Sequence, residues 1–464
     1  MVATHPTTLA DRDVAVLWHP CAQMRDYVDF PPVHVVGAEG SLLHLADGSA
    51  LLDCFSSWWC KALGHRHPAI KAGIAEQLEL FEHVVLANTT NEPVVRLCET
   101  LLSRANDGVA PAHFAKVFLA DNGSTAVEVA LKMALQAQHQ RGQTHRKHFV
   151  ALENAYHGET TGCLSVTDLP LYAAPYDPIR FPCTFLQGVP YRSGPTDPRW
   201  LDCSDEWPAI EAQLAPLADT AAAVIVEPVM QGAGGMILYS PDLLSRLRAW
   251  CDAHDVYLIA DEIAAGTYRL GKFLATTLAA DRPLPDFACL SKGLTAGTIP
   301  LSAVLTTQPI YDLFDADYHT HRAFMHSNTY TGNALAVAAG NAALAAFLDD
   351  DIPARVDRLT TDLTARVADV ADRINAANLP LTCHQVRGLG GLAALTLADA
   401  QGSSLPAQPR TGYQVYRHAV PRGALLRPLG DTLYLLPPLN TPDDQLDRMT
   451  EIMHDAIRDV AATL

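Results

Sequence analysis

The run Ala222 to Val226 carries no polar residue, and several other short runs in the middle of the chain come close to it: Val117 to Ala120, His148 to Leu152, Val256 to Ala260, Phe287 to Leu290 and Ser302 to Leu305. A strand with one face in water alternates apolar and polar residues, whereas a strand covered on both faces does not. Between the runs lie stretches with helical spacing. From Ser124 to Gln138, for example, Val127, Ala130, Leu131 and Ala134 share one helical face. Neighbouring parallel strands need a long crossover, and a helix supplies it. The alternation therefore predicts an α/β fold built on a mainly parallel sheet.

The two ends of the chain read differently. Residues 33–53 have the pattern of a small strand meander, with Asp47-Gly48 as a turn signal. Residues 353–377 read as a helix with Val356, Leu359, Leu363 and Val367 on its apolar face. The segment Gly388-Leu389-Gly390-Gly391 then leads into alternating strand-like residues, and a last helix starts near Pro442. These readings predict a large domain over 65–345 and a small α+β domain assembled from both ends, 1–64 and 346–464.

The chain has 464 residues, 49% of them hydrophobic, enough for a large core. Its formal net charge of −18 repels nucleic acid and anionic membranes, so neither is expected as a partner. The ten cysteines include no CxxC pair, and His65, His67, His319, His321 and His326 lack companions at ligand spacing, so no metal site is expected. Scattered cysteines, no signal-peptide pattern and no apolar run of spanning length predict a soluble cytoplasmic protein. Lysine occurs only at Lys61, Lys71, Lys116, Lys132, Lys147, Lys272 and Lys292, which limits any lysine chemistry to few places.

Two strand ends carry reactive groups. The run Val256 to Ala260 leads into Asp261, and Phe287 to Leu290 leads into Ser291-Lys292-Gly293. Ligands of open α/β sheets collect at such ends. A carboxylate and a lysine placed there suit pyridoxal 5′-phosphate, since the lysine condenses with the aldehyde and the carboxylate keeps the ring nitrogen protonated. Ile263, two residues beyond Asp261, shares its face and is positioned to pack on a ring. Asp121-Asn122-Gly123-Ser124-Thr125 follows one strand and opens a helix, which makes it either a phosphate cradle or an ordinary N-cap. Tyr156, after the strand at His148, is either a stacking platform or a core aromatic.

Taken together, Asp121-Asn122-Gly123-Ser124, Tyr156-His157-Gly158, Glu227-Pro228, Asp261-Glu262, Lys292-Gly293 and Thr329 to Asn333 resemble the class III (ω-) aminotransferases of pyridoxal-phosphate fold type I over nearly the whole chain. The resemblance implies pyridoxal 5′-phosphate as cofactor and Lys292, Asp261 and Tyr156 as the catalytic set. Lys292 is then the Schiff-base lysine and proton carrier, Asp261 the partner of the ring nitrogen, and Tyr156 the ring's stacking residue. Gly123 and Ser124 are implied to hold the phosphate. Thr329 is implied to reach the cofactor of a neighbouring subunit, with Asn328 beside it, so a homodimer with composite sites is expected.

Within the class, Trp18-His19-Pro20, Ser56-Ser57-Trp58-Trp59, Gln231 to Met236 and Arg427-Pro428 through Pro438 resemble the branch that aminates 8-amino-7-oxononanoate in biotin biosynthesis. That branch implies S-adenosylmethionine, or in a related group lysine, as amino donor. It implies substrate contacts at Cys21, Trp58, Trp59, Tyr156, Ser327, Arg427 and Tyr434. Trp58 and Trp59 offer apolar walls for a long chain, or alternatively core packing, and Arg427 offers a fork for a carboxylate, or alternatively a surface ion pair. The sequence departs from the class pattern at Cys21, Glu159, within Ala264 to Gly271 and at Ser327-Asn328. Other ω-aminotransferases of diamines or ω-amino acids and a cofactor-dependent aminomutase are the rival activities.

Overall fold

The computed structural model describes residues 8–464. Every expected apolar run is a strand of one seven-stranded sheet, at Phe114–Ala120, His148–Leu152, Ala221–Val226, Tyr257–Asp261, Phe287–Leu290 and Ser302–Thr307. The seventh strand, Cys183–Leu186, escapes the sequence pattern because it lies at the sheet edge and is mostly half-buried. Along the sheet the order is Phe114–Ala120, Ser302–Thr307, Phe287–Leu290, Tyr257–Asp261, Ala221–Val226, His148–Leu152, Cys183–Leu186. All pairings are parallel except those of Ser302–Thr307, which runs against both its neighbours. The mixed α/β fold with a mainly parallel sheet is thus the one the alternation predicted.

Burial on both faces explains the apolar runs. Each residue of Ala221–Val226 is 0% exposed. The helix Gly123–Gln140 packs on one face of this sheet and buries more than the expected stripe, including Val129, Met133 and Gln138. Its outer side is covered too, since Gln136 and Gln140 donate to the Arg322 carbonyl.

The terminal regions form two smaller sheets. Strands Val35–Glu39, Leu42–Leu45 and Ala50–Asp53 make the expected meander, and Ala424–Leu425 adds to it in parallel with Ala50–Asp53. Strands Leu381–Leu389 and Leu392–Asp399 form a hairpin at Gly390, whose φ of 59° a glycine adopts without strain, and Thr432–Leu435 pairs with the second of them. Helix Ile352–Ala376 buries Val356, Leu359, Leu363 and Val367 as expected, and helix Asp443–Ala461 follows Pro442. Among the described residues, no helix is long and apolar enough to cross a membrane.

Candidate functional site

The carboxyl ends of the parallel strands open into a cavity of about 1190 Å³. Its lining includes Gly123, Ser124, Tyr156, Asp261, Ile263, Lys292, Trp58, Trp59, Cys21 and Arg427. Most of the predicted site residues, from positions up to 406 apart, therefore meet in one place.

The floor comes from regular structure. Asn122 caps the Gly123–Gln140 helix by accepting from the Thr125 amide, so the N-cap reading of this segment holds. The Thr125 hydroxyl is committed as well, donating to the Asn122 carbonyl (2.7 Å), and is not free for a ligand. The Gly123 and Ser124 amides have no acceptor among the described residues, and both residues face the cavity. Two orphan N–H groups at the positive end of an 18-residue helix form an anion cradle. Capping and cradle coexist because they use different amides. A Cβ at Gly123 would press on Ile263 at 3.0 Å, so the bare backbone lets helix and strand end converge.

Asp261 ends its strand 5% exposed, with Oδ1 accepting from the Ile263 amide (3.2 Å) and Oδ2 2.8 Å from His157 Nδ1. Facing a carboxylate, His157 Nδ1 carries the proton, and the buried ring orients Asp261. His157 stands in the Tyr-His-Gly motif, but the sequence assigns it no task. Beneath lie two further carboxyls that burial pushes up to about 7, Glu227 and Glu262. Glu227 accepts from the amides of Tyr156 (2.9 Å) and Gly232 (3.0 Å). Lys292 sits at φ 41°, directly after its strand. Desolvation lowers the pKa of its amine, and the nearby Asp261 and Glu227 only partly oppose this. Tyr156 donates to Glu159 (2.8 Å) and meets the Tyr172 ring at 5.3 Å, and Cys21 Sγ also approaches Glu159 (3.7 Å).

The wall is built differently. Ser56, Ser57, Trp58 and Trp59 have φ of 52°, 45°, 73° and 70°, one turn of left-handed helix without a glycine. Such a turn costs about 1–2 kcal/mol per residue for L-amino acids, so neighbours must hold it. The Ser56 hydroxyl donates to the Leu436 carbonyl (2.7 Å) and accepts from Arg269 (3.3 Å). The Asp53 carboxylate accepts from the Ser57 amide (2.9 Å) and the Ser57 hydroxyl (2.7 Å). Burial pushes Asp53 up, but the bonds from His65 and Ser57 outweigh it and hold the carboxyl below its ordinary range. Trp59 Nε1 donates to the Tyr434 hydroxyl (3.0 Å).

The two indoles point to different chemistry. The Lys292 ammonium lies 4.8 Å from the Trp59 ring centre, and the Arg427 guanidinium lies 4.0 Å from that of Trp58. Trp59 is 6% exposed and Trp58 37%. Arg427 donates to the Cys21 carbonyl (3.3 Å), and no carboxylate among the described residues pairs with it, so the ion-pair alternative does not apply. Arg269, which the sequence marked only as part of a departure, is 3% exposed and donates to the Pro437 carbonyl (2.7 Å). Burial lowers its pKa to about 9.

Tyr434 is expected at the substrate and stands one layer back. It does not line the cavity but stands behind Trp59, 2% exposed, as a buttress. Ser327, Asn328 and Thr329 also lie away from this chain's cavity, on a segment where Met325 is 88% and Tyr330 62% exposed.

The assembled groups can seat an anion on two amides, hold a proton opposite a buried carboxylate, and present a desolvated lysine to a carbonyl. An apolar wall and an unpaired guanidinium stand beside them. Comparison with known proteins accords with this inventory. A profile of the family Aminotransferase class-III matches residues 23–457. An adenosylmethionine-8-amino-7-oxononanoate aminotransferase of Synechococcus elongatus is 38% identical over 96% of this chain and 99% of its own. The crystal structure of the enzyme of that name from Methanocaldococcus jannaschii superposes with a TM-score of 0.87 at 28% identity, covering 97% of this chain and 98% of its own. A pyridoxal-phosphate-bound amine transaminase from an uncultivated Pseudomonas species gives a TM-score of 0.84 at 31% identity, covering 97% and 98%.

Proposed function

The chain belongs to the class III aminotransferases, and from that premise we propose that it moves an amino group from S-adenosylmethionine to 8-amino-7-oxononanoate, yielding 7,8-diaminononanoate for biotin synthesis. The enzyme is an aminotransferase and its cofactor is pyridoxal 5′-phosphate. Bound there, the cofactor supplies an aldehyde that exchanges amines and a ring that accepts the electron pair freed at the substrate carbon.

The residues present fit that group. The Gly123 and Ser124 amides receive its phosphate. Asp261, oriented by His157, keeps a proton on the ring nitrogen. Tyr156 and Ile263 both line the cavity and would pack against the ring. Lys292, its pKa lowered by desolvation, is the residue that would hold the aldehyde and would move a proton at the substrate carbon. Glu227 accepts from the Tyr156 and Gly232 amides and so fixes the backbone at both points beside this machinery.

The observation that carries the choice of acceptor is Arg427, unpaired and stacked on Trp58, in the same cavity as Lys292 under Trp59. A molecule with a carboxylate at one end, a long apolar chain and a reacting carbonyl at the other matches that layout. The relatives' name supports both the acceptor and the donor. Cys21 and Glu159 border the same space and are assigned to the substrates. The test is a spectrophotometric half-reaction on cofactor-loaded protein. S-adenosylmethionine is expected to bleach the cofactor's visible band, and 8-amino-7-oxononanoate to restore it. Bleaching by lysine instead would change the donor, and no response to either would overturn the assignment.

The same reading includes a homodimer in which Ser327, Asn328 and Thr329 of one subunit complete the other's site. Exposure of Tyr318 (94%), Met325 (88%) and Tyr330 (62%) on the segment that carries Ser327, Asn328 and Thr329 supports a second copy covering it. Mixing Lys292→Ala with Thr329→Ala protein is expected to recover activity that neither variant has alone. No recovery would count against shared sites. We further assign 65–345 to a large unit and 1–64 with 346–464 to a small one, and the ten free cysteines support a reducing cytoplasm.

A further inference from the structure

We propose that Asp53 is a positioning residue for acceptor recognition, holding the left-handed turn that sets Trp59 beside Lys292 and Trp58 beneath Arg427. The inference rests on the reading that these indoles wall the acceptor's chain.

Asp53 is 0% exposed and does not line the cavity. All its side-chain bonds serve the turn or brace it. Oδ1 accepts from the Ser57 amide (2.9 Å), and Oδ2 accepts from the Ser57 hydroxyl (2.7 Å) and from His65 Nε2 (3.0 Å). His65 Nε2 is also 3.5 Å from the Ser57 hydroxyl, so carboxylate, hydroxyl and imidazole close a triangle over the second residue of the turn. A buried carboxylate is a poor choice for stability alone, since apolar packing does as well or better. Here it performs a task apolar groups cannot, accepting from an amide and a hydroxyl that a left-handed residue presents.

The turn's other residues are held by different partners. Ser56 is tied to Leu436 and Arg269, and the Trp59 indole to Tyr434. Its ring also lies on bare backbone, where a Cβ at Gly232 would approach it at 3.2 Å. Among the described residues the Ser57 side chain bonds only Asp53 and His65, while the Cys60 thiol donates to the Ser57 carbonyl (3.1 Å), and Trp58 follows directly. Loss of the clamp lets Ser57 and Trp58 return to the right-handed region, which re-aims the Trp58 indole away from Arg427. The phosphate cradle, Asp261 and Lys292 are carried by other elements, so the chemical step is untouched.

Asp53→Asn keeps the shape but loses the charge and one acceptor. It is expected to raise KM for 8-amino-7-oxononanoate about tenfold or more, the scale of a bond to a charged group, with kcat and cofactor absorbance nearly unchanged. The near-UV circular dichroism of the tryptophans is expected to change as well. Adding Ser57→Gly, which permits positive φ without strain, is expected to recover most of the lost KM and the wild-type dichroism. A fall in kcat at constant KM, or no recovery from the glycine, would overturn the proposal. If Asp53→Asn fails to fold, His65→Gln serves, with a KM rise of about threefold expected from the loss of one brace, and an unchanged KM overturns the proposal. If the wild-type protein does not aminate 8-amino-7-oxononanoate, the functional reading fails separately, and the dichroism alone decides: an unaltered spectrum in Asp53→Asn sinks the clamp.

Discussion

The floor and the wall of the cavity are built on opposite principles. The floor takes each reactive group from the end of a regular element: Lys292 after Phe287–Leu290, Asp261 at the end of Tyr257–Asp261, Gly123 at the start of an 18-residue helix. Its geometry follows from sheet order. The wall takes Trp58 and Trp59 from a turn wound against the preference of L-residues, held by side chains and carbonyls from distant parts of the chain. The contrast teaches that the general chemistry rests on the scaffold, while discrimination between substrates rests on local strain and its restraints.

Substitutions can break this contrast, and the largest effect belongs to the floor. Lys292→Ala is expected to lower turnover by at least about 10³-fold and remove the lysine-dependent visible band, because both nucleophile and proton carrier are lost. Directly measured binding of the acceptor, independent of KM, should stay within a few-fold of the wild type; a loss of binding would mean that floor and wall are coupled. Next comes Arg427→Ala, expected to raise KM for the carboxylate-bearing acceptor about 10- to 100-fold through loss of a charge-assisted pair, with a much smaller change in kcat. An equal fall in kcat would place Arg427 in the chemical step. Trp58→Ala follows, with an expected rise in KM of about tenfold for the long-chain acceptor and little change for a short amino ketone, which has less apolar surface to shelter.

The smallest effect is a matter of pH. Desolvation lowers the Lys292 pKa, so its neutral, nucleophilic form prevails at lower pH than for a free lysine of pKa 10.5. The rate at which cofactor-free protein takes up pyridoxal 5′-phosphate is therefore expected to rise with pH and level off below that value. Glu227→Gln removes a charge that pulls the pKa upward, so its midpoint should be lower still. A wild-type midpoint at or above 10.5 would show that the amine is not desolvated.

The same division governs what the sequence reveals. Apolar runs mark strands buried on both faces, and the residue that follows each run is a site candidate by position alone, which is how Asp261 and Lys292 are found. Cys183–Leu186 goes unseen because an edge strand is covered less and tolerates Thr184. Trp58, Trp59 and Arg427 are legible as residue types, but the handedness of the turn is not, since no glycine announces it. Asp53 and His65 leave no signal, because their importance lies in what they touch. Tyr434 is legible as a residue near the wall, but not its place behind Trp59: proximity in a motif does not separate a lining residue from the one behind it. The cradle at Gly123 is ambiguous in sequence for a physical reason, as the segment is both N-cap and anion site.

The wall also has a place in time. Trp59 meets Tyr434 across 375 positions, Ser56 meets Leu436 across 380, and Ala50–Asp53 gains its parallel neighbour only at Ala424–Leu425. On a ribosome, where chains fold as they emerge, the sheet bearing Lys292 is complete more than a hundred residues before those partners exist. A nascent chain thus acquires the floor before the wall, and selectivity is among the last properties that synthesis confers.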